Sequence, residues 1–122
     1  MKNQAYRMTM LFDFYGELLT DRQKEFFDLY YNEDLSLAEI AENYGISRQG
    51  VRDAIVRAEG VMSEMEDKTG ILRRFHLAQG QLDSVAEALD AILARNDAKY
   101  EDPVLEDLAR RARETIEQLK QE

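Results

Sequence analysis

The residues best suited to bind a partner lie together near the middle of the chain, at Ser47, Arg48, Gln49, Arg52 and Asp53. A guanidinium donates in a fixed fork to phosphate, carboxylate or guanine, and a glutamine amide can pair with adenine. A serine hydroxyl can bond a phosphate oxygen. Side chains three and four positions apart are neighbours on a helix, so the two arginines, the glutamine and the aspartate share one helical face. The sequence therefore predicts a polar surface, formed by these five residues, that binds a nucleic acid or a protein.

Two short helices with a tight corner between them are predicted to position that surface, over the segment SLAEIAENYGISRQGVRDAIVR. Ser36 and Glu39 have the spacing of a capping box, which begins the first helix. Gly45 can adopt the left-handed conformation that ends it, and Ser47 is a good N-cap for the second helix. Small Ala41 allows the two helices to cross closely. This is the helix-turn-helix pattern, although an ordinary helical hairpin would use the same caps. The predicted buried residues recur at helical spacing: Leu37, Ile40, Ala41, Tyr44, Ile46, Val51, Ala54, Ile55 and Ala58.

Two further helices are predicted ahead of this motif. The first covers residues 6–19, and the second runs from an N-cap at Thr20, with Gln23 at the capping-box position, to about Tyr31. The concentration of aromatic residues here indicates a core. The alternative is a base-stacking surface of the kind that single-stranded RNA binders use. The residues expected to be buried are Leu11, Phe14, Tyr15, Leu18, Leu19, Phe26, Phe27, Leu29 and Tyr30.

The strongest break in the chain is Thr69-Gly70, after a helix predicted to continue from Ser47 to Lys68 with Gly60 as a site for a bend. The predicted domains are therefore a helix-turn-helix domain over 1–69 and an amphipathic helical extension over 70–122. No segment shows the alternation of a strand. The predicted fold class is all-α without a sheet, with a helix-turn-helix domain of winged-helix-like or sigma-factor type followed by the extension.

The extension is predicted to contain two amphipathic helices. Asn96 to Asp102 is polar and interrupts the periodicity, and Asp102-Pro103 has the form of an N-cap followed by proline at the first helical position. Its apolar faces are larger than one short helical segment needs. They predict either a helical hairpin that packs on the first domain or a homodimer, and we expect the homodimer. The apolar residues are Ile71, Leu72, Phe75, Leu82, Val85, Leu89, Ile92, Leu93, Leu105, Leu108, Ala112, Ile116 and Leu119.

Composition and charge exclude several function classes. The chain of 122 residues has no cysteine and one histidine, His76, so neither a thiolate metal site nor a histidine relay can form. The acidic residues are interleaved with basic ones in the manner of solvated helical faces, and no glycine-rich phosphate loop is present. We therefore expect no enzymatic activity, no metal and no cofactor. No segment has the apolar length of a signal peptide or a membrane span, so we expect a cytoplasmic protein without membrane insertion.

The net charge of −9 argues against strong binding of nucleic acid, because most proteins that bind it present a basic face. The predicted recognition helix, from Ser47 to Val56, has two arginines and one aspartate, which gives 2 − 1 = +1. A patch of that size would neutralise few phosphates, so any binding to DNA should be weak and sensitive to salt.

The first two thirds of the sequence resembles the YlxM family of small bacterial proteins, over about residues 5–76. The match depends on many separated positions: Arg7-Met8, Leu11-Phe12-Asp13-Phe14-Tyr15, Leu18-Leu19-Thr20, Gln23, Leu29-Tyr30-Tyr31, Asp34, Ser36-Leu37, Glu39-Ile40-Ala41-Glu42 and Ser47-Arg48-Gln49-Gly50-Val51. The second half matches less well and is interpreted as a lineage-dependent extension.

The resemblance implies a fold like the promoter-reading domain of sigma factors. It also implies a regulatory link to the signal recognition particle, because genes of the family lie beside the gene of that particle's GTPase. Two hypotheses follow. In the first, the chain is an accessory factor that binds the RNA or the GTPase subunit of the particle through Arg48, Gln49 and Arg52. In the second, it is a dimeric transcriptional regulator that places the same residues in the major groove of duplex DNA.

Overall fold

The computed structural model describes residues 4–121; the outermost residues of the two predicted domains, 1–3 and 122, lie outside this range. Within it, six α-helices and no strand are present, which confirms the all-α fold class. The helices are α1 (Ala5–Tyr15), α2 (Asp21–Tyr31), α3 (Leu37–Tyr44), α4 (Arg48–Thr69), α5 (Ile71–Arg95) and α6 (Pro103–Lys120). The chain forms two compact units, one up to Leu72 and one from Arg73.

The predicted caps define the helices of the first unit. The Thr20 hydroxyl accepts from the Gln23 amide while the Gln23 side chain accepts from the Thr20 amide, at 3.2 and 3.0 Å. Ser36 and Glu39 form the same reciprocal pair at 3.1 and 3.0 Å. The Ser36 amide and hydroxyl also lower the pKa of the Glu39 carboxyl. Both predicted capping boxes are thus confirmed, and each satisfies amides that a helix start would leave unpaired.

Two adjoining clusters of buried side chains hold the first unit together, and α4 contributes to both. Phe27 stacks on Phe12 with ring centroids 4.7 Å apart, and the ring of Tyr31 packs against Phe27 with centroids 4.5 Å apart. Most of the aromatic residues of this third therefore form core, as the first of the two interpretations predicts. One cluster contains Met8, Leu11, Tyr15, Leu19, Phe27, Ala58, Met62 and Leu72; the other contains Phe26, Ile40, Ala41, Val51 and Ile55.

A buried carboxylate, Glu66, fixes the end of α4. The Tyr15 hydroxyl donates to its Oε1 at 2.8 Å, and the amide of Leu72 donates to the same oxygen at 2.9 Å. Burial, together with the nearby Glu66 carboxylate, raises the pKa of Tyr15. Nearer the middle of α4, Tyr31 donates to Glu59 Oε2 at 2.6 Å, and burial followed by this bond raises the pKa of Tyr31. Polar contacts therefore connect α1 and α2 to α4 alongside the apolar clusters.

The second unit is an antiparallel pair made by α5 and α6. Ala86 and Ala109 are buried, and their small side chains permit close packing. The turn between the helices includes one π-helical turn, Asn96–Tyr100, and buried Asn96 closes it. Its Nδ2 donates to the Asp102 carbonyl and its Oδ1 accepts from the Asp102 amide, both at 2.9 Å. The Asp102 carboxylate then caps α6, which begins at Pro103 as predicted.

Two predictions about the first unit are wrong. Helix α1 ends at Tyr15 rather than at residue 19, because the backbone tightens into a 3₁₀ turn at Gly16–Leu18. Phe14 and Leu18 are exposed, while Met8, not predicted to be buried, belongs to the core. The apolar face predicted for α6 is only partly buried: Ala109 and Ile116 are buried, and four residues of that face are exposed, namely Leu105, Leu108, Ala112 and Leu119.

Candidate partner-binding surface of the helix-turn-helix

The corner between α3 and α4 is built by Gly45 and Ile46. Gly45 has φ +66°, the left-handed conformation that glycine adopts at little cost, and its amide donates to the carbonyl of Ala41. The Ile46 amide donates to that same carbonyl at 3.1 Å, and the Ile46 side chain packs against the second core cluster. The chain thus ends α3 and directs the start of α4 within three residues, as the helix-turn-helix prediction requires.

The start of α4 is fixed by its cap. Ser47 Oγ accepts from the Gly50 amide at 3.0 Å. On the inner side of the helix, Val51 and Ile55 are completely buried and hold α4 against α2 and α3. Because the inner side of α4 packs into the core, the outer side of its first turns faces solvent.

All five predicted site residues are exposed, and the structure brings them together at this end of α4. Gln49 Nε2 donates to Asp53 Oδ1 at 2.9 Å, one turn along the helix. Among the residues that the structure describes, Arg48 and Arg52 form no hydrogen bond or ion pair, so both guanidiniums are open to a partner. That these residues bind a partner stays a prediction.

Two residues of the same face were absent from the predicted site. Val56 is 41% exposed and lies one turn after Arg52. Arg57 is exposed and lies one turn after Asp53. Their spacing of four from predicted site residues was the signal that could have identified them. An exposed β-branched side chain beside arginines gives the surface an apolar contact as well as charge.

The surface is a small cationic area on an acidic unit. Residues 1–72 contain 8 Lys and Arg and 14 Asp and Glu, so their net charge is 8 − 14 = −6. Residues 48–57 contain three arginines and Asp53, which gives 3 − 1 = +2. Guanidiniums only donate hydrogen bonds, so the surface is suited to a partner that supplies acceptors, such as phosphate, carboxylate or carbonyl oxygens.

In the described part of the chain, neither a metal site nor a membrane-spanning helix is found. Residues 4–121 contain no cluster of histidine, cysteine and carboxylate residues with the arrangement of a metal site. None of the helices described combines the length and the apolar composition that crossing a membrane would need. Glu66, the buried carboxylate, has the hydrogen-bond partners of a structural group, Tyr15 and the Leu72 amide.

Comparison with known proteins agrees with the helix-turn-helix seen at α3 and α4. Residues 2–101 match the model of the UPF0122 family, described as "Putative helix-turn-helix protein, YlxM / p13 like". A UPF0122 protein of Thermoanaerobacter sp. (strain X514) is 41% identical over 107 residues, which cover 88% of this chain and 92% of the relative. A UPF0122 protein of Halalkalibacterium halodurans is 43% identical over 90 residues, 74% of this chain and 83% of the relative. Another, from Acetivibrio thermocellus, is 51% identical over 73 residues, 60% and 62% of the two chains.

The family match extends further than the resemblance noted over residues 5–76, because it reaches residue 101 and so includes all of α5 and the turn after it. The interpretation of the second half as a lineage-dependent extension is therefore wrong for this part. The family model matches most of this chain, and the alignment to the Thermoanaerobacter relative covers most of both proteins. The chain therefore belongs to the UPF0122 family of YlxM / p13-like helix-turn-helix proteins.

Proposed function

We propose that this protein is a non-enzymatic regulatory or accessory factor of the signal recognition particle pathway, which binds the particle's RNA or its GTPase subunit through the outer face of α4. The observation that supports this most directly is the pair of exposed guanidiniums at Arg48 and Arg52, which have no partner within the described residues. The link to the particle comes from the family resemblance. An acidic protein with a small cationic area on α4 should bind a selected acceptor-rich site and bind other polyanions weakly.

The alternative is a dimeric transcriptional regulator that reads duplex DNA. It is favoured by the position of Arg48, Gln49 and Arg52 at the start of the second helix of the motif, where such proteins contact bases. The contact from Gln49 to Asp53 weighs against it. Reading adenine requires both the amide donor and the amide oxygen of glutamine, and here Nε2 is directed to a neighbouring carboxylate.

The first experiment is a titration of the full chain against the particle's RNA, its GTPase subunit and the assembled particle, at low and at moderate salt. We expect binding to at least one of them, and a loss of about tenfold in affinity for each arginine when Arg48 and Arg52 are changed to alanine. That magnitude corresponds to about 1.5 kcal/mol for one charge-assisted hydrogen bond. Arg7→Ala removes the same charge from an exposed position of α1 and is the matched control.

Two results would contradict the proposal. Absence of any complex with RNA or GTPase at low salt would remove the link to the particle. Equal loss of affinity in Arg7→Ala and in the double variant would show a general charge effect rather than a site. Selection from random duplex DNA tests the alternative, since an enriched sequence whose binding depends on Arg48 would favour the transcriptional regulator.

A further inference from the structure

The outer face of α4 consists of two parallel rows of exposed side chains. Residues four apart on a helix lie one above the other. The rows are therefore Arg48, Arg52 and Val56, and Gln49, Asp53 and Arg57. The first row places two like charges one turn apart, an arrangement that weakens a helix slightly. Helix stability thus does not account for the two arginines, and the second row adds an acid to a surface that is otherwise cationic.

The charge of Asp53 is not neutralised by the arginines around it. Its Oδ1 accepts from Gln49 Nε2 at 2.9 Å, and this donor is a neutral amide. Among the residues that the structure describes, Asp53 forms no ion pair, although Arg52 precedes it and Arg57 lies one turn further along. Gln49 therefore holds the carboxylate in place without removing its charge, and a molecule that approaches this face meets that charge.

Other acidic residues near the start of α4 have different positions. Asp53 is the only acid in the range 47–57. The next acid along the helix, Glu59, is half-buried and accepts from the Tyr31 hydroxyl at 2.6 Å. Helix α3, which packs on α4, has an exposed acid at Glu42. The acid that stands between the guanidiniums on α4 itself is thus Asp53.

A phosphate backbone that contacts both Arg48 and Arg52 must also come close to Asp53. Four residues of an α-helix rise about 6 Å, and duplex DNA carries one charge per about 1.7 Å of its axis. A segment that spans the two arginines therefore brings several phosphates near the carboxylate. Two like charges about 7 Å apart in water repel enough to lower a binding constant about threefold. Phosphate oxygens also have no proton to donate to the carboxylate.

We propose that Asp53, positioned by Gln49, determines the specificity of the outer face of α4: it rejects phosphate backbones of arbitrary sequence and selects a partner that places a hydrogen-bond donor opposite the carboxylate. The two arginines attract acceptors, and a carboxylate covered by a partner without a donor costs affinity. The chemistry recognised is thus a donor flanked by acceptors. This inference deepens the proposed function, because it rests on a partner binding to this face.

The test compares the wild type with Asp53→Asn in binding to a labelled 20-base-pair duplex of random sequence, from 50 to 200 mM salt. Asparagine has nearly the same shape, and its oxygen can still accept from Gln49, so the variant mainly removes the charge. We expect at least about threefold tighter binding at 50 mM salt. The slope of the logarithm of affinity against that of salt should steepen by about 0.9 if one more phosphate is neutralised.

Two controls make the same change in net charge elsewhere. Asp67 is exposed about four turns further along α4, and Glu42 is exposed on α3. Asp67→Asn and Glu42→Gln should leave the affinity for the duplex and its salt slope near the wild-type values, because salt screens distant charges. An equal gain in either control would overturn the proposal, since the gain would then reflect the charge of the whole chain.

The variant Asp53→Ala separates the charge from the hydrogen bond, because it removes both and releases the Gln49 amide. Similar gains in Asp53→Asn and Asp53→Ala support the proposal. A gain in Asp53→Ala alone would overturn it, since the released amide would then be the cause. Absence of duplex binding by the wild type and Asp53→Asn alike, at 50 mM salt and 100 μM protein, would overturn it as well.

The same proteins, titrated against the particle's RNA and GTPase subunit, distinguish this inference from the proposed function. We expect Asp53→Asn to bind the particle component no more tightly than the wild type, so that its preference over the random duplex falls at least about threefold. Unchanged duplex binding by Asp53→Asn would overturn the role of Asp53 even if the wild type binds the particle. Tighter duplex binding by Asp53→Asn, in a protein that binds neither component, would support the role of Asp53 and remove the proposed partner.

Discussion

The backbone at Gly45 offers a sensitive test of the corner, because the same substitution at Gly60 should have the opposite effect. Gly45 has φ +66°, and a Cβ built there would meet no atom within 4 Å. Any cost of Gly45→Ala therefore comes from the backbone conformation and not from a clash. Gly60 lies inside α4, and a Cβ there also meets nothing within 4 Å.

The two magnitudes follow from helix energetics. Holding an alanine in the left-handed conformation costs about 1–2 kcal/mol, so Gly45→Ala should lower the free energy of unfolding by about 1.5 kcal/mol. Alanine is favoured over glycine inside a helix by about 1 kcal/mol, so Gly60→Ala should raise it by about that amount. The variants should differ by about 2.5 kcal/mol. At about 4 °C per kcal/mol for a chain of this size, their melting temperatures should differ by about 10 °C.

The assay is thermal and urea unfolding followed by circular dichroism, with the wild type and both variants at one protein concentration. A fixed concentration is needed because dimerisation would make the melting temperature concentration-dependent. The reasoning is refuted if Gly45→Ala is neutral or stabilising, because α3 would then not need a left-handed residue at its end. It is also refuted if Gly60→Ala is destabilising, since α4 would then depend on flexibility at that position.

Two further predictions concern the tyrosines of the first unit. Tyr15→Phe removes one donor from buried Glu66 and should lower stability by about 2 kcal/mol, whereas Tyr6→Phe, at a residue 73% exposed on the same helix, should have no effect; equal unfolding curves for both variants would contradict this. The pKa values of Tyr15 and Tyr31 are raised in the folded state, so the unfolded chain releases these protons first. The contribution of these tyrosines to the free energy of unfolding should be fully present below pH 10, the ordinary pKa of tyrosine, and should decrease as the pH rises above that value. Urea midpoints from pH 8 to 11.5 would measure this, the fall should be smaller in Tyr31→Phe, and constant midpoints would be evidence against it.

The local elements were predictable because their signals act over three or four residues. The pairs at Thr20 and Ser36, the left-handed Gly45 and the proline start of α6 all depend on contacts within one turn, and all were correct. The exposed position of the predicted site also followed, because apolar Val51 and Ile55 determine which side of α4 is buried.

The sequence could not indicate which of two apolar rows the second unit buries. Helix α6 has one row at Leu105, Leu108 and Leu119, and another at Ala109 and Ile116. Hydrophobicity favours the leucines, but in the folded pair the buried residues are Ala109 and Ile116 on α6 and Ala86 on α5. An alanine contributes little to a hydrophobic pattern in the sequence, although its small side chain allows two helices to pack closely. Its burial can therefore be recognised only once the positions of both helices are known. The early end of α1 did have a marker, because Gly16 follows Tyr15 directly and a glycine is common just after the last residue of a helix.

The crowding at Gly50 limits how the recognition helix can diversify. A Cβ at this position would lie 3.2 Å from Ser47 Oγ, the atom that caps α4. A larger residue there would disturb the cap before it gained any contact with a ligand. If this face binds a partner as proposed, new specificities would therefore have to arise at the neighbouring positions 48, 49, 52, 53, 56 and 57, which leaves a small set of substitutions that could change the target without loosening the helix.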